Sequence, residues 1–455
     1  MDKPTERKAG KRRDLTSMPV FKAILALAIP ITLSNILITL YQITDAFWVG
    51  QLGKEAVAGV AISFPIFFLV NTAMIGLTTS GATLVAQYAG KKDHENVGLY
   101  ASQTFALLAI LGAIFSALGY FFAPQIVALF GAEESVSALA SQYSSIVFLS
   151  LMPGVFYMGF SSILRGTGEV KLPMYIVLAT VVLNFFLDPI FMLGLFGFPK
   201  MGIAGVAWAT TLVQVVSAAA AIAWILKHND ILGITAKRLV PRISAAKRLA
   251  KLGVPSMAEF LSRSTGMLLI TGIVSSFGTV AIASYGIGMR TGSLALIPSF
   301  GISLAVNTLV GQNLGAGKLE NLKNTIHKGM IASFIFLIIL GIILFALAGP
   351  LSSLFIYNDA EVVSEAALFT MFYAVSLCFF GPQIVIIAAY RGAGKAKTAM
   401  ALSITYALLQ VIISYAFAQL FGLMGIWLAF PVSNALALVL AYAYFRKNPI
   451  RKGVI

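Results

Sequence analysis

Two aspartates stand where water should be scarce. Asp45 and Asp188 fall inside long apolar stretches, as do Glu259, Arg263 and Arg290. A carboxylate within a hydrocarbon layer costs roughly 2.5–3.5 kcal/mol on insertion scales, so each such group is a functional candidate from the outset. Other oxygen donors lie near the two aspartates. Asn184 precedes Asp188 by one helical turn and shares its helix face. Tyr41 and Asn35 lie on the same stretch as Asp45, and Thr210 lies on the stretch after that of Asp188. At ~1.5 Å per helical residue, Asp45 sits ~9 Å from the outer end of its stretch, and Asp188 and Thr210 sit ~14 Å from theirs. Carboxyls shielded from water exchange a proton near neutral pH. The same oxygens suit a hard cation such as Na⁺. Residue types alone do not choose between H⁺ and Na⁺, and a hydrogen-bonded clasp between helices is the plain alternative for the set.

The remaining charges read differently. Glu259 and Arg263 are four residues apart and suit an ion pair on one helix face. They and Arg290 are structural charges or line a cavity. Pro30 lies on the stretch that carries Asp45; it frees a backbone carbonyl and can bend its helix, either as a static kink or in response to Asp45. The motifs of soluble catalysis are missing. There is no GxxxxGK[ST], no HExxH and no GxSxG, and His94, His228 and His327 all sit in polar connecting segments. The expectation is a protein that is not an enzyme and carries no cofactor, with Na⁺ at Asp45, Asn184, Asp188 and Thr210 as the one metal to consider. Cys378, the single cysteine, allows no internal disulfide.

The elements that must position these groups follow from composition. Of 455 residues, 59% are hydrophobic and 11% are charged, against about 25% charged in a soluble domain. Mean hydropathy is +0.90. Disorder, a secreted disulfide scaffold and a soluble enzyme are excluded; the pattern is that of an all-α polytopic membrane protein. Twelve apolar segments lie near 20–50, 55–88, 97–122, 136–163, 172–197, 201–226, 247–276, 280–312, 324–348, 362–389, 397–420 and 424–445. Each exceeds the ~20 residues needed to cross the hydrocarbon layer. The connectors on one side of these spans, with both tails, hold 28 of the 32 Lys and Arg, which places both termini in the cytosol of a cell (inner or cytoplasmic) membrane. The net charge of +15 is therefore an orientation signal with some attraction to anionic lipid, and nucleic acid is not an expected partner. The expected divisions are a disordered cytosolic tail 1–19, a first lobe 20–226, a cytosolic linker 227–246, a second lobe 247–445 and a cytosolic tail 446–455.

The two lobes repeat one another. "LVAQYAGKKDHENV" from Leu84 aligns without a gap to "LVGQNLGAGKLENL" from Leu309, an offset of 225 residues that also pairs Pro30 with Pro255. "LRGTGEVK" aligns with "YRGAGKAK", pairing Arg165 with Arg391, and Gly202 pairs with Gly425 and Thr210 with Ser433. Six spans per half give both halves the same orientation, related by a pseudo-two-fold axis along the membrane normal; such repeats usually open a central path alternately to each side. The counterpart of Asp45 is Ile270 and that of Asp188 is Ser414. The acids therefore belong to the first lobe alone, and lobe geometry does not demand them.

Several motifs together resemble the multidrug and toxic compound extrusion (MATE) family across essentially the whole chain: "ALAIPITLSNIL" and "TDAFWVGQLG" in span 1, "QYAGKKD" and "QNLGAGK" after spans 2 and 8, "LRGTGEVKLPMY" before span 5, and "LNFFLDPIFMLG" within it. Spans 1 and 5 look like the DinF-like bacterial and archaeal branch. The resemblance implies a secondary antiporter that exports cationic amphipathic compounds, coupled to H⁺ or Na⁺ by alternating access. It implies Asp45, Asn184, Asp188 and Thr210 as the cation site of the first lobe, with Tyr41 beside them. The family's other bacterial branch has an acid pair in spans 7 and 10; here span 10 carries only Glu365, near its outer start. A monomer in contact with membrane lipid is expected. A flippase for lipid or lipid-linked sugar is the rival reading, which the scarcity of intramembrane cations disfavours.

Overall fold

The structure is a computed structural model that describes residues 15–356 and 358–451. The expected disorder of the N-terminal tail falls mostly outside the described residues. Among those described, every regular element is a helix. The first half runs α1 (Val20–Gly50), α2 (Lys54–Gly90), α3 (His94–Ala128), α4 (Glu134–Leu149), α5 (Leu151–Thr167), α6 (Lys171–Leu193) and α7 (Ile203–Lys227). Two short helices, α8 (Asn229–Leu232) and α9 (Ala236–Leu239), lead into α10 (Ile243–Ser275), α11 (Thr279–Gly315), α12 (Leu319–Ala346), α13 (Ala348–Ser353), α14 (Ala360–Gly392) and α15 (Ala396–Lys447).

The twelve expected spans are recognisable in this order. Among the described residues, ten helical stretches are long and apolar enough to cross a membrane, with α4 and α5 counted together as one, Glu134–Thr167. The 52 residues of α15 comprise two spans, because Gly422 breaks the helical path with φ 60° and ψ −145°, a region open to glycine and strained for other residues. Gly202, at the entry to α7 in the first half, has nearly the same conformation, φ 56° and ψ −129°. The remaining span is α10, whose 33 residues include Lys247, Arg248, Lys251, Glu259 and Arg263 and are correspondingly less apolar.

The chain forms two compact units. The first contains Leu33–Val254, and the second contains residues 15–32 with 255–451. These boundaries differ from those read in the sequence. The start of α1 belongs to the second unit, and the segment read as a linker belongs to the first; both divisions fall close to the paired prolines Pro30 and Pro255. Gln103 on α3 secures that segment: its Nε2 donates to the carbonyls of Arg238 (2.6 Å) and Val240 (2.8 Å), and its Oε1 accepts from Arg242 N at 2.7 Å. In the second unit, Lys318 Nζ donates to Thr16 O and Oγ1, each at 3.0 Å, and so ties the beginning of the described chain to the start of α12.

Burial follows a membrane rule. Residues 78–88 of α2 are continuously buried and rich in Gly, Ala, Ser and Thr, small side chains that let helices approach closely. Large apolar residues such as Phe121 (70% exposed), Leu268 (71%) and Ile342 (66%) point outward, an arrangement suited to lipid rather than water.

Candidate functional site

The first unit gathers the oxygen donors that the sequence singled out. Asp45 and Tyr41 share α1 one turn apart, Asn184 and Asp188 share α6 one turn apart, and Thr210 comes from α7. The Tyr41 hydroxyl donates to Thr210 Oγ1 at 2.9 Å. Thr210 Oγ1 in turn donates to Asp45 Oδ1 at 3.4 Å, a long and hence weak bond. On α6, Asn184 Nδ2 donates to Asp188 Oδ1 at 3.0 Å. Asn184 and Asp188 are both fully buried, whereas Asp45, Tyr41 and Thr210 are half-buried. The two carboxyls are near enough to interact electrostatically. The site thus joins α1 and α7 directly through hydrogen bonds, with the α6 pair alongside. Pro30 lies in the part of α1 that belongs to the second unit.

Two oxygens in this group stand out. Asp188 Oδ2 and Asn184 Oδ1 are buried and have no hydrogen-bond partner. A buried acceptor left unpaired is costly, and the same atoms would be satisfied by a proton on the carboxyl or by a cation bridging the two side chains. Among the described residues no group of three or more His, Cys, Asp or Glu forms a metal site. The donor set is carboxylate, amide and hydroxyl oxygen, which fits a hard monovalent cation rather than a transition metal.

One member escaped the sequence reading. Tyr143 on α4 is 7% exposed, and its side chain comes close enough to the Asp45 carboxyl to interact with it. Nothing in its local sequence marks it, since a tyrosine in an apolar span usually packs or faces the interface. Asn35 does not join the cluster through its side chain among the hydrogen bonds found; its carbonyl accepts from Thr39 Oγ1 at 3.0 Å.

The second unit contains the expected helix-face pair of Glu259 and Arg263 and adds a closer partner from another helix. Glu259 is buried, and its Oε1 accepts from Arg391 Nη1 on α14 at 3.0 Å. Arg263 Nη2 stands off at 4.0 Å from the same oxygen. Arg391 is one of the 28 Lys and Arg counted on the basic side of the spans, yet it is 5% exposed and an interior partner of Glu259. The signal available was its alignment with Arg165 in the repeated "RGTG" and "RGAG" motifs. Arg290 on α11 is exposed and does not line the cavity of this unit.

Comparison with known proteins agrees with this architecture. A family profile described as MatE matches residues 30–190 and 255–416, one match for each repeat. "Probable multidrug resistance protein YoeA" of Bacillus subtilis is 29% identical over 436 residues, covering 94% of each chain. An "FAD transporter" of Shewanella oneidensis is 26% identical over 437 residues, covering 95% of each. The solved structure described as "Outward-facing conformation of a multidrug resistance MATE family transporter of the MOP superfamily" superposes with a TM-score of 0.89 at 26% identity, over 97% of this chain and 98% of that one. With twelve spans in two repeated halves and a family match to both, the chain belongs to the MatE family of membrane transporters.

Proposed function

We propose that the protein is a secondary active multidrug exporter in which H⁺ or Na⁺ entering from outside is exchanged for cationic amphipathic compounds. The observation that carries this reading is the set of Asp45 and Asp188 with Tyr41, Thr210 and Asn184, in which Asp188 Oδ2 and Asn184 Oδ1 are buried without partners. Such a site gains from binding a positive species and loses it again when water reaches it. Ion binding neutralises the carboxyls and weakens the hold on a cationic substrate, and the ion gradient then biases alternating access. Thr210 and Tyr41 position Asp45, while Asn184 holds one oxygen of Asp188 and leaves the other for the incoming ion. The relatives named as multidrug resistance proteins support the export of small molecules. We place the protein in the cell membrane with both termini cytosolic, and a single chain supplies both repeats.

The test is efflux of a fluorescent cationic dye from proteoliposomes with ΔpH and ΔNa⁺ imposed separately. Coupling to H⁺ predicts dye movement under ΔpH in sodium-free buffer; coupling to Na⁺ predicts it under ΔNa⁺ at uniform pH. Movement that follows the dye gradient alone, unaffected by either ion gradient, rejects the antiport reading.

A further inference from the structure

The second unit repeats the geometry of the first but not its chemistry. The repeat sets Ile270 where the first half has Asp45, Gln410 where it has Asn184, and Ser414 where it has Asp188. At that place the second unit has a half-open cavity of about 260 Å³, and Ile270 and Gln410 line it. Its one charged lining residue is Arg263, and Phe380, Phe430 and Tyr373 form aromatic walls. A place that is acidic in one unit is basic in the other.

The charge at Arg263 is only partly cancelled. Arg263 and Arg391 face a single carboxylate, Glu259, and that carboxylate is engaged by Arg391 at 3.0 Å while Arg263 remains at 4.0 Å. Two guanidiniums against one carboxylate leave an excess positive charge in a buried cluster. Arg263 Nε has no partner; Nη2 reaches Ser403 Oγ only at 3.4 Å. The guanidinium also lies over the Phe380 ring, 5.9 Å from its centroid. Both polar atoms of the Gln410 amide and Oδ1 of Asn434 are likewise unpartnered, although these residues are only 3% and 2% exposed. Asn434 also lines the cavity. Buried amides and charges without partners are unfavourable unless something else satisfies them.

We propose that this cavity binds a planar aromatic acid, its carboxylate held by Arg263 and the Gln410 amide and its ring seated among Phe380, Phe430 and Tyr373. Charge-assisted hydrogen bonds from a guanidinium suit a carboxylate. Gln410 Oε1 and Asn434 Oδ1 are then available to donors on the ring. The volume falls just below the ~300–1,000 Å³ of drug-sized sites, which fits a one- or two-ring acid. The site lies wholly within the second unit and binding requires no gradient, so it stands or falls separately from the ion-coupled reading.

The experiment is calorimetric titration of the full-length protein in lipid nanodiscs with three ligands of equal ring size: 2-naphthoate, neutral 2-naphthamide and cationic 2-naphthylmethylammonium. We expect 2-naphthoate to bind at least about tenfold more tightly than the amide, and the ammonium most weakly. Arg263→Gln should bring 2-naphthoate affinity down to that of the amide, while Arg263→Lys retains part of the preference. Equal affinity for acid and amide, no saturable binding of 2-naphthoate, or unchanged affinity in Arg263→Gln would each overturn the proposal. Should Arg263→Gln fold poorly, the acid-to-amide ratio in the unaltered protein decides alone.

Discussion

Asp45→Asn isolates charge from shape at the candidate ion site. The amide is nearly isosteric, and its oxygen still accepts from Thr210, whose hydroxyl donates to Asp45 Oδ1 at 3.4 Å and accepts from Tyr41 at 2.9 Å. The hydrogen-bonded path between α1 and α7 therefore survives, while the side chain can no longer gain or lose a proton or neutralise a cation. One charge crossing 100 mV supplies about 2.3 kcal/mol, and every ~1.4 kcal/mol is a factor of ten, so one lost coupling charge removes roughly 50-fold of substrate accumulation at that potential. The assay is dye accumulation in proteoliposomes under a fixed ion gradient and an imposed diffusion potential, alongside size-exclusion and thermal-unfolding profiles to show that the variant is folded. We expect a folded protein whose coupled accumulation collapses to equilibration. A variant that accumulates dye as the parent does would refute the reasoning and leave the Asp45 cluster as a structural clasp.

Three further outcomes follow from the packing. Glu259→Gln strips the carboxylate that Arg391 holds at 3.0 Å and should destabilise the protein by about 3–5 kcal/mol; the double variant Glu259→Gln/Arg391→Gln should recover part of that loss in thermal unfolding, and a double variant no more stable than the single contradicts the account. Gly392→Ala drives a Cβ into the backbone carbonyl of Asn307 and should cost about 1–3 kcal/mol, whereas Gly272→Ala meets open space and should be close to neutral; similar melting temperatures for the two would be a failure of the packing argument. Asp93 caps α3, accepting from Asn96 N at 3.0 Å and Asn96 Nδ2 at 2.8 Å, and these bonds hold its carboxyl below the usual carboxylate range. Because the folded value is the lower one, the cap's contribution is present above the unfolded value of about 3.9 and fades as pH falls through the folded value. Asp93→Ala should therefore cost ~1 kcal/mol at pH 7, with the gap in melting temperature closing below about pH 4; a gap that persists in acid would contradict the capping role.

The particular residues show why part of the site could be read in advance. Asn184 and Asp188 lie one turn apart on a single helix, so the 3.0 Å bond between them follows from helical periodicity. Thr210 and Asp45 lie on different helices, and only their similar depth and the family resemblance suggested a meeting. Tyr143 had no such signal, because its approach to Asp45 depends on how α4 packs. Arg391 was assigned to a cytosolic connector by the same charge asymmetry that oriented the chain, and packing of α14 turned it inward onto Glu259.

The sequence by itself determined that this chain spans a membrane in twelve apolar segments, that its halves repeat, and that Asp45 and Asp188 have no acidic counterparts in the second half. Those properties depend on composition and periodicity, which act along the chain and need no knowledge of neighbours. Tertiary structure alone decided that the start of α1 belongs to the second unit and that a basic cavity stands where the repeat has an acidic site. It also decided that Arg391, rather than Arg263, lies closest to Glu259. These outcomes depend on which faces of separate helices meet, and that is set by the shapes and charges of side chains far apart in sequence.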